Sequence, residues 1–216
     1  MAARPSHSRT PDPWSPAERR AFARLDRPAA IQRFLDEVPY SCEPVYRSPR
    51  SVLRDRLAHC FDGALFAAAA LRRLGLPPLL VDLRATRDDD HLLAIYRVGG
   101  HLGAVAQSNF AALRYREPIF RTLRELVLSY FEGYFNLEGE KTLRSYSRPL
   151  DLGTLDHVEW MTCDDRLEVI AERLDEIRHF PLLTPAMIRG LAPVDARSFQ
   201  SGTVGTNPAG AYHVKG

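Results

Sequence analysis

The sequence predicts an α+β protein: helical segments lead the chain, a group of short strand-like segments follows, and further helices come after it. The first observation is the apolar run Cys60-Phe-Asp-Gly-Ala-Leu-Phe-Ala-Ala-Ala-Ala-Leu71, read as a helix over 60–74 and closed by Gly75, Pro77 and Pro78. Glycine just past a helix end, with proline beyond it, is a stop signal. The second is the set of strand-like segments at 79–83, 91–98 and 101–109, the last two joined by Gly99-Gly100, a hairpin turn. The third lies within 120–135, where Leu123, Leu126, Val127, Tyr130, Phe131 and Tyr134 recur at spacings of three and four and mark an amphipathic helix.

The remaining elements follow the same logic. Residues 17–35 have helical spacing through Phe22, Leu25, Ile31, Phe34 and Leu35, interrupted at Pro28. A short helix is expected over 51–58 after Pro49, and another over 166–177. The 60–74 helix is apolar nearly all round, which marks it as buried. With 216 residues and 45% hydrophobic content, the chain can bury one sizeable core, so a single domain is expected over 17–191. Residues 1–16 read as a disordered polar, proline-rich leader, and 192–216 as a flexible Gly/Ser/Pro-rich tail with little to bury.

Composition removes several classes of function. Lys and Arg number 29 against 27 Asp and Glu, a net charge of +2, which supplies no basic field for nucleic acid or an anionic membrane. The N-terminus lacks the apolar stretch of a signal peptide, so a cytoplasmic location is expected. Three cysteines, Cys42, Cys60 and Cys163, are odd in number and form no CxxC pair, which argues for free thiols over a disulfide framework or a zinc site. No internal repeat, phosphate-binding glycine loop or HExxH motif is present, so no cofactor or metal is expected, and Asp88-Asp-Asp90 reads as a solvated turn.

Chemistry concentrates at Cys60. An unperturbed thiol, with pKa about 8.5, is mostly protonated at neutral pH, and a helix N-terminus gives it thiolate character. His91, at the head of a strand, is the candidate base that pairs with it and later protonates the leaving group. A third residue must fix the imidazole. If Gly99-Gly100 is a two-residue turn, Ser108 stands opposite His91; a three-residue loop puts Asn109 there, and its amide oxygen suits the role as in the Cys-His-Asn arrangement of papain-like enzymes. Arg114 and Arg116, just beyond, are candidates to bind a substrate carboxylate, or else internal ion-pair partners of Glu117 or Glu125. The nucleophile requires a helix break near Ala58-His59; in an unbroken helix from Ser51 through Leu74, Cys60 would be an inert core residue. His59 reads as a capping or packing residue.

Five segments carry a resemblance: Arg56-Leu-Ala-His-Cys-Phe-Asp-Gly-Ala64, Leu74-Gly-Leu-Pro-Pro78, Asp89-Asp-His91, Gln107-Ser-Asn-Phe-Ala-Ala-Leu-Arg-Tyr-Arg-Glu-Pro118 and Leu126-Val-Leu-Ser-Tyr-Phe131. Over about 30–185 they resemble a bacterial family of the transglutaminase-like superfamily. The resemblance implies a papain-like α+β fold, with a helix presenting Cys60 against an antiparallel sheet, His91 opening one strand and an Asp or Asn following on the next. It also implies acyl transfer on a peptide or protein substrate. Hydrolysis is expected over transamidation, because nothing in the sequence marks an amine site, and a non-catalytic peptide-binding module or a peptide maturation factor are the alternatives.

Overall fold

The computed structural model describes residues 13–213. The expected leader falls mostly outside the described residues, but its last part belongs to the fold: Trp14 is buried against Phe22, and Ser15 caps the first helix. That helix, α1 (Pro16–Ala23), and α2 (Pro28–Asp36) each begin with proline at the first helical turn, which explains the interruption read at Pro28. Next come α3 (Pro49–Asp55) and α4 (Cys60–Arg73).

The sheet begins with β1 (Leu79–Ala85), β2 (His91–Val98), β3 (His101–Val105) and β4 (Arg116–Phe120). Helix α5 (Leu123–Phe131) follows, shorter than its apolar pattern because Thr122 caps its start and Gly133 turns the chain beyond its end. Then come β5 (Leu143–Ser147), β6 (Leu150–Asp151), α6 (Glu168–Glu176), β7 (His179–Pro181), α7 (Pro185–Arg189) and α8 (Ala196–Gly202). Among the described residues the seven strands form one sheet, in the order β4-β3-β2-β1-β5-β7 with β6 also pairing β1, and every pairing is antiparallel. The protein is α+β, and no helix among the described residues is long and apolar enough to cross a membrane.

Gly99 and Gly100 both have positive φ, 55° and 83°, and Val98 pairs with His101. The turn therefore has two residues, and positive φ at both central positions is what the tightest hairpin turn demands and glycine supplies. The pleat of β2 then sorts the core. Leu92, Ala94 and Tyr96 pack with α4 on one face of the sheet, while Leu93 and Ile95 pack with Leu126, Val127 and Tyr130 of α5 on the other.

Helix α4 is the buried spine. Its residues from Ala64 to Leu71 are almost completely excluded from water, and each buried Leu or Phe contributes about 1.5–3 kcal/mol. Gly63 lets this helix press against the segment after β3, where an added Cβ would lie 2.2 Å from Gln107 Cβ. Gly63→Ala should therefore cost about 1–3 kcal/mol and lower the melting temperature by several degrees, measurable by calorimetry.

The segment expected to be a flexible tail is instead folded over most of its length. Val194 N–H donates to the Gly139 carbonyl, Phe199 packs on Phe135 at 5.5 Å between ring centres, and Ala211 is buried. Its small and polar composition concealed this, because a few apolar residues and many backbone contacts hold it down.

Candidate functional site

The break that the nucleophile reading requires is present. Arg56 ends α3 in the left-handed region, φ 54°, and the chain runs extended to His59. Ala58 is held by Pro39–Ser41: Ser41 N–H donates to the Ala58 carbonyl at 3.0 Å and Ala58 N–H to Pro39 at 3.3 Å. This bridge sets Tyr40 beside the start of α4.

Cys60 is the first residue of α4. The helix start is fixed by a reciprocal cap, in which Asp62 Oδ2 accepts from His59 N–H at 3.2 Å and His59 Nδ1 accepts from Asp62 N–H at 3.5 Å. Asp62 is fully buried and also accepts from Arg47 N–H at 2.8 Å, with the Arg47 guanidinium 3.8 Å away. One carboxylate thus fastens both the helix start and the 41–47 loop.

Burial works against activation of the thiol. Cys60 is partly accessible, with the Asp90 carbonyl 3.8 Å from its sulfur and the Tyr40 hydroxyl as a hydrogen-bonding neighbour. Burial, reinforced by the charge of Asp89, pushes its pKa up to about 12 against the pull of Tyr40. Desolvation of the sulfur thus works against the thiolate expected from the helix terminus.

His91 is 4% exposed, and its Nε2 lies 2.7 Å from the Leu113 carbonyl oxygen. A carbonyl only accepts, so Nε2 carries the proton and Nδ1 is the basic nitrogen. Burial lowers its pKa to about 4, with the Arg116 charge adding to the effect and the Leu113 bond opposing it. The ring stands edge-on to Tyr134, on the α5 side of the sheet, in keeping with the pleat of Leu93 and Ile95. Among the described residues no hydrogen bond joins His91 to Cys60. The two meet across a cavity of about 30 Å³, whose walls include Tyr40, Ser108, Asn109 and Tyr134. Its size suits about one ordered water.

The third position differs from expectation. The two-residue turn would extend to a pairing of His91 with Ser108, but β3 stops at Val105. There the Gln32 side chain takes over as a strand substitute, accepting from Ala106 N–H at 3.1 Å and donating to the Ala106 carbonyl at 3.0 Å. Ser108 Oγ then accepts from Phe110 N–H, and the Asn109 amide bonds the backbone of Asn207. The group that orients His91 is the Leu113 carbonyl, which no side-chain pattern announces.

The two arginines also differ from expectation. Arg114 pairs with Asp36 at 2.9 Å and donates to the Ser108 carbonyl. Arg116 lies over the Tyr130 ring at 3.9 Å and donates to the Ala112 and Ser129 carbonyls. Neither lines the Cys60 cavities, and neither pairs with Glu117 or Glu125. Both hold together the loop that carries the Leu113 carbonyl.

Asp88-Asp-Asp90 is a fastened turn. Asp88 accepts from Thr142 at 2.6 Å, Asp90 from Ala85 N–H at 2.8 Å, and the Asp89 carbonyl from Tyr134 at 2.7 Å. Outside the small cavity, Cys60 opens onto a cleft of about 650 Å³ between the 40–46 loop, this turn, Leu174 and Asp175 of α6, and residues 209–213. That volume falls within the range of ligand sites. No family model matches the chain, and no curated protein was found similar to it.

Proposed function

We propose that this chain performs thiol-dependent acyl transfer on an amide or peptide bond, with water as the acceptor, on a papain-like core of the transglutaminase-like kind. The observation that carries the reading is the placement of Cys60 at the first turn of α4, at the floor of a large cleft and across a water-sized cavity from His91. In the reaction, His91 Nδ1 takes the thiol proton, directly after rotation of the Cys60 side chain or through one water, as sulfur attacks the substrate carbonyl carbon. The amides of Cys60 and Phe61, ahead of the capped Asp62 amide at the start of α4, are the donors for the developing oxyanion. His91 returns the proton to the departing amine, and water then releases the acid from the thioester.

A second reading is a non-catalytic peptide-binding module. It is favoured by the neutral thiol, whose pKa is about 12, and by the engagement of His91 with Leu113. Incubation with a panel of peptidyl thioesters and peptide p-nitroanilides, followed by intact-mass measurement and peptide mapping, separates the two. The enzyme gives an acyl adduct on Cys60 that turns over to free acid and disappears in Cys60→Ala. Peptide binding without any adduct overturns the enzyme in favour of the module.

A further inference from the structure

Residues 209–213 form one wall of the Cys60 cleft, and the contacts of Thr206 and Asn207 just before them are those of a bound peptide. The Asn109 side chain donates from Nδ2 to the Asn207 carbonyl at 2.8 Å and accepts from Asn207 N–H at Oδ1, also at 2.8 Å. A side-chain amide that bonds one residue's carbonyl and N–H together reproduces one rung of a β-ladder and reads peptide backbone without regard to side chain. The Asn109 carbonyl adds a bond from Thr206 Oγ1 at 3.0 Å, and Asn207 Nδ2 lies 3.1 Å from Cys42 Sγ. After the short turn at Pro208–Gly210, the segment narrows to pass the wall of the cleft: a Cβ on Gly210 would lie 2.9 Å from Cys42 Sγ and 3.1 Å from Tyr40 Cδ1. Ala211 is buried among the α5-side core residues, and Gly210 and Tyr212 close the small cavity shared by Cys60 and His91.

We propose that residues 206–213 occupy in cis a peptide-binding groove along the wall of this cleft and cover the cavity shared by Cys60 and His91 until a peptide substrate displaces them. The proposal rests on the acyl-transfer reading only for the word substrate; the groove and its occupant stand on their own contacts. The ligand class is a peptide whose backbone Asn109 clamps and which carries small residues where Gly210 and Ala211 lie, followed by an aromatic side chain at the position of Tyr212. Asn109, expected to orient His91, is on this reading a substrate-positioning residue.

The experiment is carboxymethylation of Cys60 by iodoacetamide, followed by peptide mapping to separate it from Cys42 and Cys163. The full chain is compared with a chain ending at Gly205, which keeps α8, and with Gly210→Leu in the full chain, which cannot seat the segment. Circular dichroism confirms folding, and the Gly210→Leu result decides the matter if the shortened chain does not fold. Labelling of Cys60 is expected to accelerate at least tenfold in either variant. A synthetic peptide of residues 204–213 should restore protection saturably to the shortened chain, and a scrambled peptide should not. Unchanged labelling in a folded variant, or no protection by the peptide, overturns the proposal. Accelerated labelling with peptide protection but no acyl adduct from any thioester leaves the groove in place and removes the acyl-transfer reading.

Discussion

Asp62→Ala should lower the unfolding free energy by about 2–6 kcal/mol, the loss expected when two buried backbone donors are left without an acceptor. The carboxylate is fully buried, accepts from the backbone N–H groups of Arg47 and His59, and lies 3.8 Å from a guanidinium that is itself mostly enclosed. Alanine leaves two amide donors without that acceptor, while the Arg47 guanidinium keeps Glu43 and Ser41. Asp62→Asn keeps the shape and one acceptor oxygen, so its loss should be smaller. Urea denaturation of the two variants ranks them, and equal stability of Asp62→Ala and the parent would remove Asp62 from its place as the fastener of the α4 start. Because the same carboxylate holds the 41–47 loop, alanine should also raise Cys60 labelling.

His91→Gln should change both the pH dependence of stability and the reaction. The folded pKa of His91 is lowered to about 4 by burial, whereas the unfolded ring titrates near 6.5. Between those values the unfolded chain binds the proton and the native chain does not, so stability is lost as pH falls from about 6.5 to about 4. The loss from this one group approaches about 3 kcal/mol, at 1.36 kcal/mol per pKa unit. The urea midpoint of the parent should therefore fall more steeply than that of His91→Gln between pH 7 and pH 4; parallel curves would place His91 in a solvated site. On a substrate found by the thioester panel, removing the base should reduce kcat by about 10²–10⁴-fold. The acid limb of the parent's rate profile should then lie near pH 4, well below an ordinary histidine.

The sequence made the scaffold of the site legible and left its wiring hidden. The start of α4 at Cys60, the strand beginning at His91 and the two-residue Gly99-Gly100 turn were all readable, because each depends on local rules of capping, alternation and positive φ. The departure of the chain from β3 after Val105 was not, because its cause is Gln32, a residue far away in sequence that bonds Ala106. For the same reason Asn109 could be recognised as amide chemistry but not assigned its partner in the 206–213 segment. The Leu113 carbonyl that orients His91 is a group every residue possesses, so no pattern distinguishes it. Tyr134 was legible as part of an apolar stripe, yet its hydroxyl also fixes the Asp89 carbonyl and its ring borders His91. Asp62 did carry a signal, an acidic residue at the third position of a helix, which is half of a reciprocal cap.

The run from α4 through β1 and β2 to β3 is continuous in sequence, and each of its strands pairs with the next through short connections. Contacts between near neighbours form quickly, and a unit of this kind opens only at high free energy, close to that of global unfolding. Cys60 and His91 both belong to that unit. Asn109 and residues 206–213 do not; side-chain amides, a few hydrogen bonds and the small buried side chain of Ala211 hold them. On the proposal above, the two halves of the site open on different energy scales, and residues 206–213 leave and return within the lifetime of the folded unit beneath them.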